Sequence, residues 1–193
     1  MMIKGVVGLD LSLTGTGICR VSLDDRNERT VMSANIGTVP GDGTLLDRAE
    51  MIASKLLRRV GMWDIVLIED YAWGIKPQKS SVVTLAELGG IVKIILKKHT
   101  KWEPFVIGSS TVKGWLGAGQ MRKDMIPVAA YKKYGREFKT HDEYVSRTLA
   151  DIGVALIGRQ DRDLFKYEET IIHKLRTRYA DQLKTLKEVT DGD

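Results

Sequence analysis

Asp10 closes an apolar run, Val6-Val7-Gly8-Leu9, and is followed by Ser12-Leu13-Thr14-Gly15-Thr16-Gly17, a cluster that favours a tight turn. A carboxylate at that point is costly to bury without a partner, and a metal ion or strong donors would supply one. A second apolar run, Ile65-Val66-Leu67-Ile68, ends in Glu69-Asp70 with the same logic. Two buried strands that each deliver an acid at their end point to a carboxylate-lined metal site. Hard oxygen ligands of this kind suit Mg²⁺ or Mn²⁺. The competing account is that Asp10 only caps a turn, the commoner role of a lone strand-end Asp.

The elements that must position these acids are readable around them. Strand patterns run over Ile3 to Asp10, Gly17 to Leu23 and Thr30 to Ile36, with a polar turn at Asp24-Asp25-Arg26-Asn27. That order predicts an antiparallel meander. Apolar residues at helical spacing, Leu45, Ala49, Ile52, Leu56 and Val60, predict a crossover helix before the strand that ends at Glu69. A loop rich in aromatics and bases follows, and a long helix capped by Ser80 or Ser81 is expected to run to about Lys98. Its Gly89-Gly90 pair predicts close packing against another backbone. Glu103 to Ile107 reads as the last strand. Helices are expected near Thr111 to Trp115, Asp124 to Tyr134 and Glu143 to Ile157, and a single long amphipathic helix from Asp163 to about Val189. The whole is α/β with a mixed sheet.

The 193 residues are enough for one domain with a sizeable core. No apolar stretch is long enough to cross a bilayer, so no membrane partner is expected. Met1-Met2-Ile3-Lys4 lacks the layout of a signal peptide, and one cysteine, Cys19, rules out an intrachain disulfide framework. A reducing, cytoplasmic setting is the expectation. The net charge of +5 is concentrated. Between Ser109 and Thr140 stand Lys113, Arg122, Lys123, Lys132, Lys133, Arg136 and Lys139 against only Asp124 and Glu137. Such a stretch is the footprint of a phosphate-binding face, with a solvated helix face as the alternative.

The order of elements with Gly8-Leu9-Asp10-Leu11-Ser12-Leu13-Thr14-Gly15-Thr16-Gly17 resembles the RuvC family of Holliday-junction resolvases, in the RNase H-like superfamily, and is most similar to its phage-borne members. Val66-Leu67-Ile68-Glu69 resembles the family's second acidic strand, and Leu85 to Val92 its following helix. Ser109-Ser110-Thr111-Val112-Lys113 and Gly117 to Asp124 resemble its lysine-bearing segment. The resemblance covers residues 3 to 158, giving an RNase H-like domain over 1–158 and a helical extension over 159–193. It implies a mixed five-stranded sheet, a homodimer formed through the helix from Ser80 to Lys98, and Mg²⁺-dependent cutting of four-way DNA junctions. Asp10 and Glu69 would hold metal, Lys113 and Lys123 would meet phosphate, and Tyr71 and Trp73 follow the acidic strand where members carry an aromatic wedge. Lys76, Lys79 and Arg122 complete the expected DNA-binding set.

The pattern departs from the family at its last acids. Members place two ligands three residues apart on one helix face, the second inside an Asp-Ala-like run. Ala150-Asp151-Ile152-Gly153 resembles that run and makes Asp151 the best match, yet Thr148 stands three residues before it. Asp142, or the neighbouring His141, is the other candidate; a helix N-cap is the structural alternative for Asp142. The runner-up enzyme is an actin- and hexokinase-like ATPase, against which stands that this fold needs two such halves and 193 residues with no repeat hold one. A nuclease for flaps or RNA–DNA hybrids, and a junction-binding protein without cleavage, remain open alternatives to the resolvase.

Overall fold

The computed structural model describes residues 3–23, 31–70 and 79–191. The expected turn at Asp24 to Asn27 and the side chains of Tyr71, Trp73 and Lys76 lie outside the described residues. Five strands form one mixed sheet in the order β3-β2-β1-β4-β5. They are β1 (Gly5–Asp10), β2 (Thr16–Ser22), β3 (Val31–Ile36), β4 (Asp64–Asp70) and β5 (Phe105–Gly108). The first three pair antiparallel, and β4 and β5 run parallel to β1. This is the RNase H-like arrangement that the sequence led us to expect.

Strand alternation sorts the core into two layers. Val7, Leu9, Val66 and Ile68 pack beneath α1 (Leu45–Leu57) and α2 (Lys79–His99), through Ile52, Leu56, Leu88, Val92 and Leu96. Val6, Ile65, Leu67 and Ile107 face the other way. There they meet α3 (Ser109–Trp115), α4 (Ile126–Tyr134) and α5 (His141–Leu156). Ile172 and Leu175 of α6 (Lys166–Arg178) and Leu186 of α7 (Ala180–Asp191) join this same layer. The C-terminal helices therefore share the core of the sheet domain. At the end of the sheet away from Asp10, Arg20 clamps the fully buried Asp64 through two hydrogen bonds of 2.6 and 2.9 Å.

The helix expected over Asp163 to Val189 is two helices. The chain breaks at Tyr179, whose hydroxyl donates to the Val106 carbonyl and whose ring meets Phe105 edge-on at 5.1 Å. Anchoring that ring to β5 turns the backbone out of the helix. In α2, a Cβ on Gly90 would meet nothing within 4 Å among the described residues, so that glycine of the Gly89-Gly90 pair packs against no backbone within the chain. No described helix is long and apolar enough to cross a membrane.

Candidate metal centre

Leu9 of β1 pairs with Ile68 of the parallel β4, so the next residues, Asp10 and Glu69, stand side by side where both strands leave the sheet. Val6, Gly8 and Asp10 share one face of β1; Ile65, Leu67 and Glu69 share the same face of β4. That face is covered by α5, so both acids sit under its first turn. The helix is started by Thr140, whose hydroxyl accepts the Glu143 amide at 3.2 Å, while the Glu143 carboxylate accepts the Lys139 amide at 2.9 Å. His141 and Asp142 are consequently the first two helical residues. Asp142 is not the N-cap.

Two glycines let α5 come this close. A Cβ on Gly17 would lie 2.1 Å from the Asp142 carbonyl oxygen, and one on Gly8 2.0 Å from that of Ser146. Both obstacles are backbone and cannot swing away. The turn between β1 and β2 is held by its hydroxyls: Thr16 donates to the Ser12 carbonyl at 2.6 Å and accepts the Ser12 amide at 3.0 Å.

His141 Nδ1 lies 3.3 Å from Asp10 Oδ2 and 3.8 Å from Asp142 Oδ1. One ligand atom from each of these three residues falls within 4.8 Å of the others. Asp10 is only 9% exposed, and its buried Oδ2 makes no hydrogen bond among the described residues. The contact to His141 is an ion pair without hydrogen-bond alignment. A buried, unsatisfied carboxylate oxygen beside an imidazole and two further acids is the donor set that a divalent cation fits. The N-terminus of α5 adds a positive field that suits anionic ligands.

The charges are strongly coupled. Burial raises Asp10 above its ordinary value; His141 opposes the shift and the Asp142 charge adds to it. Burial and the neighbouring Asp10 charge push Glu69 up to about 8, against the pull of His141 and Lys113. Pairing with Asp10 and Asp142 pushes His141 up to about 9. At neutral pH the metal-free centre thus keeps protons on Glu69 and His141, which neutralise carboxylates that cannot all ionise together. Tyr144 was not anticipated from the sequence. It is buried three residues along from His141, with ring centroids 4.9 Å apart. Burial, then the Asp10, Glu69 and Asp142 charges, push its phenol up to about 12. The signal was the three-residue spacing on one helix face, occupied here by an aromatic phenol.

Asp151 is not brought to this centre. Nine residues beyond Asp142, it lies about 13 Å up the helix and on the opposite side, at 100° per residue. Its carboxylate accepts the Trp115 indole N–H at 2.8 Å and stands 4.0 Å from Arg162. The fully buried Thr148 donates to the Tyr144 carbonyl at 2.7 Å. The Ala150-Asp151-Ile152 run therefore seats α5 on the sheet through its apolar residues, and its acid faces α3. Asp151, expected as a ligand, is thus turned away from Asp10, whereas His141 and Asp142, the other candidates, lie beside it.

The cations divide. Lys113, exposed on α3, bears on Glu69 by its charge. Arg122 is exposed and paired with Asp124 at 3.1 Å. Lys79 opens α2, and Lys123 opens a short 3-10 turn (Lys123–Met125); the side chains of both are outside the described ones. A groove of about 1100 Å³ lies at the other end of the sheet between Ile3, Leu156 and α7. Glu188 is the one acid among the groove's described residues, so it offers no metal chemistry.

No protein-family model matches the chain, and no curated protein sequence matches it significantly. Solved structures do. The chain superposes on RuvC of Thermus thermophilus with a TM-score of 0.60 and 14% identity, covering 91% of this chain and 96% of that one. It superposes on T. thermophilus RuvC in complex with a Holliday junction substrate with a TM-score of 0.59 and 15% identity, covering 80% and 96%. At that identity the likeness establishes the fold, which is the RuvC fold.

Proposed function

We propose that this chain is a divalent-metal-dependent endonuclease that resolves four-way DNA junctions. The observation that carries the reading is the meeting of Asp10, His141 and Asp142 at the exit of β1, with Glu69 beside Asp10 on β4 and a buried Asp10 oxygen that makes no hydrogen bond among the described residues. The likeness to a junction-bound RuvC over 96% of that chain supports the substrate.

Asp10 offers its orphaned Oδ2 and is central to the set; Glu69, Asp142 and the His141 imidazole complete the donors. Bound Mg²⁺ or Mn²⁺ would polarise the scissile phosphate and make an attacking water acidic. His141 must first give up the proton it holds in the metal-free protein, and Glu69 likewise. Lys113, whose charge bears on Glu69, would bring a positive point charge to a phosphate oxygen. The positive end of α5 would favour the same anion.

A homodimer suits a two-fold symmetric junction. Its expected element is α2, which turns Leu88, Val92 and Leu96 inward and leaves Val83 and Ile94 58% and 59% exposed. Gly90 lies between them with open space over it, which permits close approach of a second helix.

The experiment is cleavage of a labelled four-way junction in Mg²⁺, beside linear duplex, flap and RNA–DNA hybrid. Paired symmetric nicks on the junction alone support the reading. Preferential cutting of hybrid or flap overturns the substrate; tight junction binding with no metal-dependent product leaves a junction-binding protein.

A further inference from the structure

We propose that Lys132, Arg136 and Lys139 form a ridge on the β3 side of the metal centre that takes the phosphate backbone of one DNA duplex arm. This rests on the branched-DNA reading above and names the path of that DNA across the protein.

The structure sorts the basic stretch between Ser109 and Thr140 into different fates. Lys133 is withdrawn: its ammonium pairs with the fully buried Glu168 and stands 4.9 Å over the Trp115 ring. Arg122 is committed to Asp124. Lys113 stands on the α3 side of the centre. Lys132, Arg136 and Lys139 remain exposed, and none of them pairs with a carboxylate among the described residues. Only Glu137 interrupts their charge.

Lys132 stands in the last turn of α4, and Arg136 and Lys139 lie on the chain that leads from it into the centre. Arg136 Nη2 donates to Ser33 Oγ at 3.4 Å, on β3. Asn35 is two residues further along that strand, about 7 Å at the usual rise. The Asn35 amide and Asp142 Oδ2 converge on Gly15, both within 3.4 Å of where its Cβ would stand. Lys139 immediately precedes the helix cap that delivers His141. The centre therefore has Lys113 on one side and this ridge on the other, as a backbone crossing the scissile position requires.

The ridge is also held in place. The Arg136 guanidinium lies 4.7 Å over Phe138, Phe138 meets Tyr144 edge-on at 6.3 Å, and Tyr144 packs on His141 at 4.9 Å. A guanidinium already fixed loses less freedom when it meets phosphate. The same aromatic chain ties the ridge to a residue of the metal centre.

The test is anisotropy titration of a labelled four-way junction without divalent metal, across a salt series. It compares wild type with the triple variant Lys132→Gln, Arg136→Gln, Lys139→Gln. Each lost phosphate contact lowers the slope of log affinity against log salt by about 0.9. The slope is expected to fall by about 3, with affinity at 0.1 M salt down roughly a hundredfold or more. A control triple on the C-terminal helices, Lys174→Gln, Lys184→Gln, Lys187→Gln, removes the same charge and is expected to keep the wild-type slope. Melting curves establish that both variants are folded. An unchanged slope in the ridge variant, or an equal fall in the control, overturns the ridge. Failure of the wild type itself to bind junction DNA at low salt overturns the branched-DNA reading beneath it.

Discussion

The imidazole of His141 stands 3.3 Å from the carboxylate of Asp10, bringing the first turn of a late helix onto the end of the first strand. The relationship is built by backbone fit as much as by charge. Gly17 and Gly8 leave no side chain between strand and helix, and Thr140 starts the helix so that His141 and Asp142 are the residues presented. The chemistry of the centre follows from those placements.

Replacing Gly17 by Ala tests the fit. The added methyl would lie 2.1 Å from the Asp142 carbonyl, so helix or strand must shift. We expect a loss of stability of about 1–3 kcal/mol, as for other overpacked sites. Mn²⁺ affinity measured by calorimetry should fall with it. Unchanged affinity in a folded variant would show that the centre does not depend on this seating.

Stability of the metal-free protein should fall as pH rises. Glu69 holds its proton to about pH 8 and His141 to about pH 9, against ordinary values near 4.5 and 6.5. Both bind protons more tightly folded than unfolded. Their contribution is full at low pH and is lost through about pH 8 for Glu69 and about pH 9 for His141. Asp10, raised in the same sense, adds to the trend. Thermal melts in EDTA between pH 6 and 9 check the sign, and Glu69→Gln should flatten the curve.

Metal binding should show the complementary dependence. The ligands must be free of protons, so Mn²⁺ uptake releases protons and tightens as pH rises toward 9. Calorimetry in two buffers of different ionisation heat counts the protons. No proton release at pH 7 would contradict the protonated state assigned to Glu69 and His141.

Glu168 is the polar keystone of the opposite flank. It is fully buried, accepts two bonds of 2.7 Å from Arg162, and pairs with Lys133. Glu168→Gln leaves those cations without their counter-charge and should cost about 3–5 kcal/mol in denaturant melts. A change below about 1 kcal/mol would show that water replaces the carboxylate.

Much of this was legible because strand ends are simple. An apolar run that stops at an acid gives both the strand and the exit of its carboxylate, and alternation along β1 and β4 puts Asp10 and Glu69 on one face. The helical part was less legible because the residues it presents to Asp10 depend on where α5 begins. That start is set by Thr140 and the reciprocal Glu143 contact, which lie outside the apolar pattern. The Asp151 run carried a familiar local sequence, but only the helix phase shows that it faces Trp115. The break between α6 and α7 was hidden for a similar reason. Leu164 to Leu186 keep helical spacing throughout, while Tyr179 is claimed by β5.

The most direct measurement is single-turnover cleavage of a labelled four-way junction over a Mg²⁺ titration. It sets wild type beside Asp10→Asn and Asp151→Asn. We expect Mg²⁺-dependent paired nicks in wild type, loss of at least about a thousandfold in Asp10→Asn, and rates within a few-fold of wild type in Asp151→Asn. Nicking that persists in Asp10→Asn, or that vanishes in a folded Asp151→Asn, would contradict a centre built on Asp10, Glu69, His141 and Asp142.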